Sequence, residues 1–214
     1  MQQIETLLII FSLHQNQLQV LLSQPNGQTI CLPGRLLQNH LSLEDNALTC
    51  LTEQTGLKAA YLEQLYTYGE QLPQNTATTR LVSIAYFALL ASDASSQIIN
   101  NEQRFWQSIH SLPILQTNHV EIIQYALRRL RYKLEYSAVG FELLPDSFSL
   151  SELQRTYEII LGETLDKRNF RRRILQAGII EPTPHQRGGE GRPARLYRYR
   201  PDAIAEVKAR RLFP

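Results

Sequence analysis

The sequence predicts an α+β fold in which an α/β segment comes first and a helical segment ending in a hairpin comes last. Three observations predict it. Short apolar runs typical of strands recur through residues 4–90. Stretches with helical spacing and capping residues follow residue 118. A basic, glycine-rich loop then separates two strand-like runs near the end. The 214 residues, 43% of them hydrophobic, are enough for a substantial core.

The first part begins with a predicted hairpin. Ile4–Leu13 and Gln17–Leu22 are partly alternating apolar runs joined by a polar turn. We expect a third strand at Thr29–Leu32, which would end at a Pro-Gly pair. A helix should follow, because Ser42 with Asp45 is typical of an N-terminal cap and a glycine at position 56 is typical of a helix end.

Two further strands are predicted beyond this helix. They are Tyr61–Tyr68 and Leu81–Leu90, the second rich in residue types that strands favour. The segment between them, Gly69–Arg80, is polar and long enough to be a functional loop. We expect the polar stretch Ala91–Asn101 to be exposed.

Three helices are predicted in the second part. Asn118 with Glu121 forms a capping-box pattern before a long amphipathic helix, 118–135, with basic residues on its polar side. A short apolar stretch, Val139–Leu144, is interpreted as a strand. The pair Ser149 and Glu152 predicts a second helix to residue 160, stopped by a glycine at 162.

The third helix is predicted to span Lys167–Ala177, between a cap at Asp166 and a stop at Gly178. Two short strands, 179–182 and 195–200, then flank the basic glycine-rich loop. Helix, short strand, helix, tight turn, helix and basic hairpin is the element order of a winged helix-turn-helix. We expect Phe170, Ile174 and Leu175 to pack inward from the third helix.

A winged helix-turn-helix can place its third helix in a DNA major groove and its hairpin against phosphates. The predicted contacts on the helix are Lys167, Arg168, Asn169, Arg171, Arg172 and Arg173. Those on the hairpin are Arg187, Arg192, Arg195 and Tyr197. A basic winged domain used for protein contact is the alternative interpretation.

Charge is distributed unevenly along the chain, although the formal net charge is only +2. Residues 1–150 carry 8 basic and 12 acidic side chains, net −4, whereas residues 151–214 carry 14 basic and 8 acidic side chains, net +6. Such asymmetry points to nucleic-acid contact, and a solvated basic face is the alternative.

Membrane and secreted classes are not favoured. No run approaches the roughly 18 apolar residues that span a bilayer, and we expect no signal peptide. The two cysteines, Cys31 and Cys50, have no paired spacing, which fits a reducing cytoplasm better than a disulfide framework. We therefore expect a cytoplasmic protein without membrane contact.

Three segments carry a family resemblance. LPGRLLQNHLSLEDNALTCLTEQTGL, residues 32–57, resembles a degenerate Nudix box. FSLSELQRTYEIILGETLDKRNFRRRILQAGIIEPT and GGEGRPARLYRYR resemble the winged helix of the Nudix-related transcriptional regulators of NAD metabolism (NrtR). The resemblance implies a Nudix-like α/β/α sandwich with a mixed sheet at 1–115, a linker helix and short strand at 116–147, and a winged helix-turn-helix core at 148–214.

Departures from the Nudix box argue against an enzyme. The intact box has Gly, five residues, Glu, seven residues, then Arg-Glu-aliphatic-x-Glu-Glu-x-Gly-aliphatic. Its glycine, carboxylates and arginine are replaced here by Arg35, Leu41, Thr49, Cys50 and Gln54. The retained positions are Leu51, Glu53, Gly56 and Leu57. Because Nudix chemistry needs clustered carboxylates to hold divalent cations, we predict no catalytic residue, no metal site and no cofactor.

A sensing role follows from the resemblance. It implies a DNA-binding repressor of NAD or nicotinamide metabolism genes that releases DNA on binding ADP-ribose or another NAD-derived nucleotide. Arg80 matches the position of an arginine that recurs in family relatives, and its guanidinium suits a phosphate or ribose. Arg35 adds positive charge where the box has glycine, and Glu53 is the remaining carboxylate. Tyr68 and Tyr86 could stack on a base or sugar, or be ordinary core aromatics.

The long helix 118–135 joins both parts and is the predicted coupling element or dimer surface. A homodimer would place two winged helices on a palindromic double-stranded operator. Two other functions stay open. One is a Nudix-related regulator that responds to a different metabolite, such as a sugar. The other is a residual Nudix hydrolase acting on ADP-ribose.

Overall fold

The computed structural model describes residues 2–58, 61–69, 80–98, 100–116, 118–188, 193–200 and 203. A mixed six-stranded sheet forms the first part. Its strands are β1 (Gln2–His14), β2 (Gln17–Ser23), β3 (Gly34–Leu36), β4 (Tyr61–Gly69), β5 (Arg80–Leu89) and β6 (Arg104–Ser108). The strand order is β4-β5-β1-β2-β6, with β3 paired to β1. Only the β1–β5 pair among these is parallel.

Five α-helices are described. They are α1 (Leu43–Thr55), α2 (Ser92–Ser95), α3 (His119–Tyr136), α4 (Leu150–Leu161) and α5 (Lys167–Ala177). None of the described helices is both long and apolar enough to span a membrane. A second, three-stranded sheet completes the chain with β7 (Phe148–Ser149), β8 (Ile180–Arg187) and β9 (Ala194–Tyr199), in the order β7-β9-β8.

The large sheet is covered on both faces. Alternate side chains of β1 point to opposite faces, so Leu8 and Ile10 pack with Cys50 and Leu51 of α1, while Ile9 packs with residues of α3 on the other side. This arrangement confirms the predicted α/β/α sandwich with a mixed sheet. The α3 face shares one buried cluster with α4 and α5, so α3 is packed against both parts of the molecule.

The predicted hairpin is confirmed, but the third strand is misplaced. Gln15 and Asn16 have positive φ angles, as a tight turn between β1 and β2 requires. Thr29–Leu32 is not a strand, because only Cys31 makes a bridge, to Ser23. The strand lies beyond Pro33 instead. A Cβ on Gly34 would stand 2.8 Å from Leu7 Cδ2, so glycine lets the chain close on β1 there.

Three predicted helix caps are confirmed. Ser42 accepts from the Asp45 amide, Asp166 accepts from the Asn169 amide, and Ser149 forms a reciprocal capping box with Glu152. The helix stops at glycines 56, 162 and 178 are left-handed, as predicted. The capping box at Asn118 is wrong. This residue has φ 68° and makes no side-chain capping hydrogen bond, whereas an N-cap residue that forms one typically has extended backbone.

The winged helix-turn-helix is confirmed, with one strand moved. Val139–Leu144 is wrong as a strand, since Val139–Leu143 forms a 3-10 helix. Gly140 lets this segment pack closely against α3 and α4, because a Cβ there would stand 2.9 Å from Leu134 Cδ2 and 3.0 Å from Tyr157 Cε2. The short strand is β7, which pairs with β9 through Phe148 and Tyr197.

The predicted exposure of 91–101 is wrong at two residues. Within 91–101, Ser95 and Ile98 are buried, and the Ser95 hydroxyl lies 2.6 Å from that of Ser12. His119 is also buried, and its Nδ1 accepts a hydrogen bond of 2.9 Å from the Leu32 amide. Both contacts join segments far apart in sequence, which local patterns do not reveal.

His119 makes stability dependent on pH. Burial lowers the pKa of its imidazole to about 4 from the ordinary value of 6.5, so the ring is neutral in the fold. The contribution of the neutral His119 ring to the free energy of unfolding is complete above about pH 6.5. It is lost as the pH falls towards 4, where the buried ring takes up a proton. Urea unfolding between pH 7 and 4 should therefore show falling stability. The decline should be shallower in His119→Gln, and equal slopes for the two proteins would refute this assignment.

Candidate functional site

The outward face of α5 is strongly basic. Lys167, Arg168 and Arg172 are exposed, while Phe170 and Ile174 anchor the opposite side of the helix in the core. The Asp166 cap leaves the first turn of α5 at the surface. An exposed helix with guanidinium groups on its outer face can offer paired donors to base edges or phosphates.

Two residues of α5 are oriented by neighbours. Arg172 Nη2 donates to Asn169 Oδ1 at 2.9 Å, which aligns both side chains on the first turns. Arg171 is only partly exposed, and its Nη2 donates to Ser151 Oγ at 2.9 Å. Ser151 lies at the N-terminus of α4, so this bond fixes α5 against α4.

The remaining predicted DNA contacts differ in their surroundings. Arg173 lines a cavity of about 230 Å³ together with Glu135, Glu163 and Asp166. Arg187 on β8 is held by Glu152, so it links the hairpin to α4.

On β9, Arg195 is exposed, and its guanidinium carbon lies 6.0 Å from the ring centroid of the half-buried Tyr197. Arg192 lies outside the described residues. Direct DNA contact by these residues stays a prediction.

Leu175 corrects the predicted inward face of α5. It is 50% exposed, whereas Phe170 and Ile174 are buried as predicted. One helical residue turns by about 100°, so Ile174 takes the core position and Leu175 falls beside the exposed arginines. The sequence pattern could not decide between these two adjacent apolar residues.

In the first part, Arg35 and Glu53 form an ion pair. Arg35 Nη1 lies 2.6 Å from Glu53 Oε1, with side-chain exposures of 18% and 56%. Arg35 is on β3 opposite Thr6, and Glu53 is on α1, so the pair bridges the strand and the box helix. The guanidinium of Arg35 therefore lies beside the box helix, where an intact Nudix box would hold a divalent cation with its carboxylates.

The box helix has lost its other metal-binding groups. Cys50 points into the core, where burial, reinforced by Glu53, raises the pKa of its thiol to about 12. Gln54 is turned towards Ser23, whose hydroxyl lies 3.4 Å from its Oε1. Across the described part of the chain, no group of three or more His, Cys, Asp or Glu residues is placed to hold a metal ion.

The structure brings together only some of the predicted ligand residues. Tyr86 packs on the α1 face with Cys50, and the alternation of β5 puts Arg80 on that same face. Tyr68 is on the α3 face instead, beside Tyr66, at a centroid distance of 5.3 Å. One ligand ring therefore cannot contact Tyr68 and Tyr86 across the sheet. The loop preceding Arg80 lies outside the described residues, apart from Gly69.

Two polar residues not singled out from the sequence position this face. Asn46 is fully buried on α1, and its Nδ2 donates to Thr6 Oγ1 at 2.9 Å and to the Arg35 carbonyl at 3.4 Å. Arg104 on β6 donates to the carbonyl of Gln54 near the C-terminal end of α1. The sequence could have indicated only the first of these roles, because Asn46 is a polar residue on the apolar side of a predicted helix.

Helix α3 is tied to both parts of the molecule by charged side chains. Glu63 on β4 is held by Lys133 at 2.5 Å and by Arg129 at 3.2 Å. Partial burial would raise the pKa of Glu63, but the hydrogen bonds from Lys133, Tyr61 and Arg129 outweigh it and lower the pKa. On another side of α3, Arg131 Nε donates to the Ile160 carbonyl at 2.7 Å. We call these contacts of Glu63 and Arg131 the α3 clasp.

A mixed-sheet sandwich with a degenerate Nudix box, followed by a winged helix-turn-helix, defines a Nudix-related regulator. The model for the NrtR DNA-binding winged helix domain matches residues 140–199. The chain is 36% identical over 201 residues to the ADPR responsive transcriptional repressor NtrR of Acinetobacter baylyi, covering 89% of this chain and 79% of that protein. The chain belongs to the NrtR family of transcriptional regulators.

Solved structures agree with this assignment. The chain superposes on Shewanella oneidensis NrtR, crystallised with a 27mer DNA, with a TM-score of 0.83 and 33% identity, covering 94% of this chain and 95% of that one. A MutT/nudix family protein from Enterococcus faecalis has a TM-score of 0.71 at 21% identity, covering 94% and 88% of the two chains. The second likeness concerns the fold alone.

Proposed function

We propose that this protein is a repressor that binds double-stranded DNA and releases it on binding ADP-ribose, and that it controls genes of NAD or nicotinamide metabolism. The observation that carries the proposal is the exposed basic face of α5, built onto a Nudix-type domain that has lost most of its metal-binding carboxylates. The Acinetobacter relative is an ADPR responsive transcriptional repressor, and the Shewanella relative binds DNA.

The DNA interface consists of the outer face of α5 and the β8–β9 hairpin. Lys167, Arg168 and Arg172 would enter the major groove, because they are exposed on one side of a helix whose other side is anchored. Arg195 would approach the phosphate backbone from the hairpin. Arg171 and Arg187 support these contacts by holding α5 and the hairpin against α4.

The effector site lies on the α1 face of the large sheet. Arg35 and Arg80 supply positive charge there, and a diphosphate is the part of ADP-ribose that such charges bind. Because Arg35 would supply positive charge where the intact box holds a cation, ADP-ribose would bind without a divalent cation. A residual hydrolase is disfavoured because Cys50 and Gln54 supply no carboxylate. Release of AMP from ADP-ribose in the presence of magnesium, lost in Glu53→Gln, would establish hydrolase activity.

Thermal shift with a panel of ligands tests the choice of effector. ADP-ribose at 100 times its dissociation constant should stabilise the protein by about 2.7 kcal/mol. NAD, AMP and pentoses are the comparison ligands at the same concentration. Stabilisation by a pentose but not by ADP-ribose would favour a regulator of sugar metabolism instead.

A homodimer would read a palindromic operator through two copies of α5. Sedimentation should give twice the chain mass of 24.6 kDa, with one dimer on each operator duplex. A protein that is strictly monomeric, both free and on DNA, would contradict the proposed homodimer on a palindromic operator.

The α3 clasp would couple the two sites. Glu63 on the edge strand β4 contacts α3, and Arg131 connects α3 to the C-terminal end of α4. The connection between α4 and α5 follows directly. A shift of β4 when ADP-ribose binds would therefore be carried to α5. The shift in DNA affinity can be no larger than the difference in ADP-ribose affinity between the two states.

Glu63→Gln tests this coupling. It keeps the shape of the side chain but removes the charge that holds Lys133 and Arg129. We expect DNA and ADP-ribose each to bind alone within about threefold of wild type, while the roughly 5- to 150-fold effect of one ligand on the other shrinks. Glu121→Gln, the same change on the exposed first turn of α3, is the control. Unchanged coupling in Glu63→Gln would exclude the clasp as the link.

A further inference from the structure

Leu175 lies on the same outward stripe of α5 as two arginines. Arg168, Arg172 and Leu175 are spaced at i, i+4 and i+7, and all three are exposed. Residues at these spacings share one face of a helix. Ile174, the neighbouring residue, belongs to the buried core cluster, whereas Leu175 does not pack against that cluster.

An apolar side chain in this position has a specific counterpart in DNA. The floor of the major groove presents hydrogen-bond donors and acceptors, together with one apolar group, the C5-methyl of thymine. If the arginine stripe enters the major groove, Leu175 enters with it, two turns and about 10 Å along the helix from Arg168. A leucine cannot satisfy the polar edges of the bases, but it can pack on a methyl group.

We propose that Leu175 is a specificity-determining residue that reads a thymine by contact with its C5-methyl group. The inference rests on the proposed DNA-binding function. It adds to the hydrogen bonds of the arginines an apolar contact that favours thymine at one position of each half-site.

The test compares thymine with deoxyuridine, which lacks only the methyl group. A duplex is first selected by the full-length protein from a random-sequence pool, and each thymine is then replaced in turn by deoxyuridine. We expect one position in each half-site at which wild type binds the deoxyuridine duplex about fourfold more weakly. This is the fold-change for one buried methyl group, about 0.8 kcal/mol.

Leu175→Ala isolates the contact. At that position the variant should bind thymine and deoxyuridine duplexes equally, while discrimination at other positions is kept. Leu175 is 50% exposed, so the variant should fold like wild type, which its melting temperature checks. Leu48→Ala, the same substitution at a 38% exposed leucine of α1, is the matched control and should discriminate like wild type.

The outcomes separate this inference from the proposed function. A selected duplex with no sensitive thymine, or a sensitivity equal in Leu175→Ala and wild type, overturns the role of Leu175 and leaves DNA binding intact. If no duplex is enriched at all, the proposed function and this inference both fail.

Discussion

Arg172→Ala should weaken operator binding more than any other single change on the surface of α5. Arg172 is exposed and aligned by Asn169, and one arginine contact in the major groove contributes about 1–3 kcal/mol. Since the proposed dimer would lose two such contacts, the dissociation constant should rise roughly 30-fold or more. Fluorescence anisotropy with a labelled operator at several salt concentrations measures it.

The salt dependence distinguishes two roles for Arg172. If it contacts a base, specificity at one position relaxes; if it contacts a phosphate, binding weakens on all sequences and the salt slope falls by about one per contact. Arg128→Ala is the control, because it removes an exposed arginine from α3 instead. Wild-type affinity in Arg172→Ala would contradict placing α5 in the groove.

Arg35→Ala should give the largest loss of ADP-ribose affinity. Charge-assisted hydrogen bonds contribute about 1.5–3 kcal/mol, so the loss of Arg35 should weaken ADP-ribose binding by roughly 10- to 150-fold. Calorimetric titration measures this, and wild type should bind equally well in EDTA and in magnesium. In the proposed site Arg35 would supply positive charge together with Arg80, and Glu53 Oε1 lies 2.6 Å from Arg35 Nη1.

Lys58→Ala controls for the loss of a nearby positive charge, since Lys58 is exposed just beyond α1. It should bind ADP-ribose like wild type. A requirement for magnesium, or an unchanged affinity in Arg35→Ala, would mean that the phosphates bind elsewhere.

Features set by local chemistry could be predicted from the sequence. The caps at Ser42, Ser149 and Asp166 depend on residues three positions apart, and all three form as expected. Asn118 has the same local signal but a left-handed backbone. The next residue, the buried His119, accepts a hydrogen bond from the Leu32 amide, a contact between distant parts of the sequence.

Features set by long-range packing could not be predicted. The segment after β2 is apolar enough for a strand, yet it does not pair with β1. The pairing occurs further along the chain at Gly34–Leu36, where glycine allows close approach. The two tyrosines proposed for the ligand prove to lie on opposite faces of the sheet, a result of strand register rather than composition. Leu175 is exposed because its neighbour Ile174 takes the core position.

The most direct test measures the affinity of wild type for its operator with and without ADP-ribose, in EDTA. A repressor that senses ADP-ribose without metal should bind DNA about 5- to 150-fold more weakly when saturated with ADP-ribose, and DNA should weaken ADP-ribose binding by the same factor. Equal DNA affinity with and without saturating ADP-ribose would contradict the account.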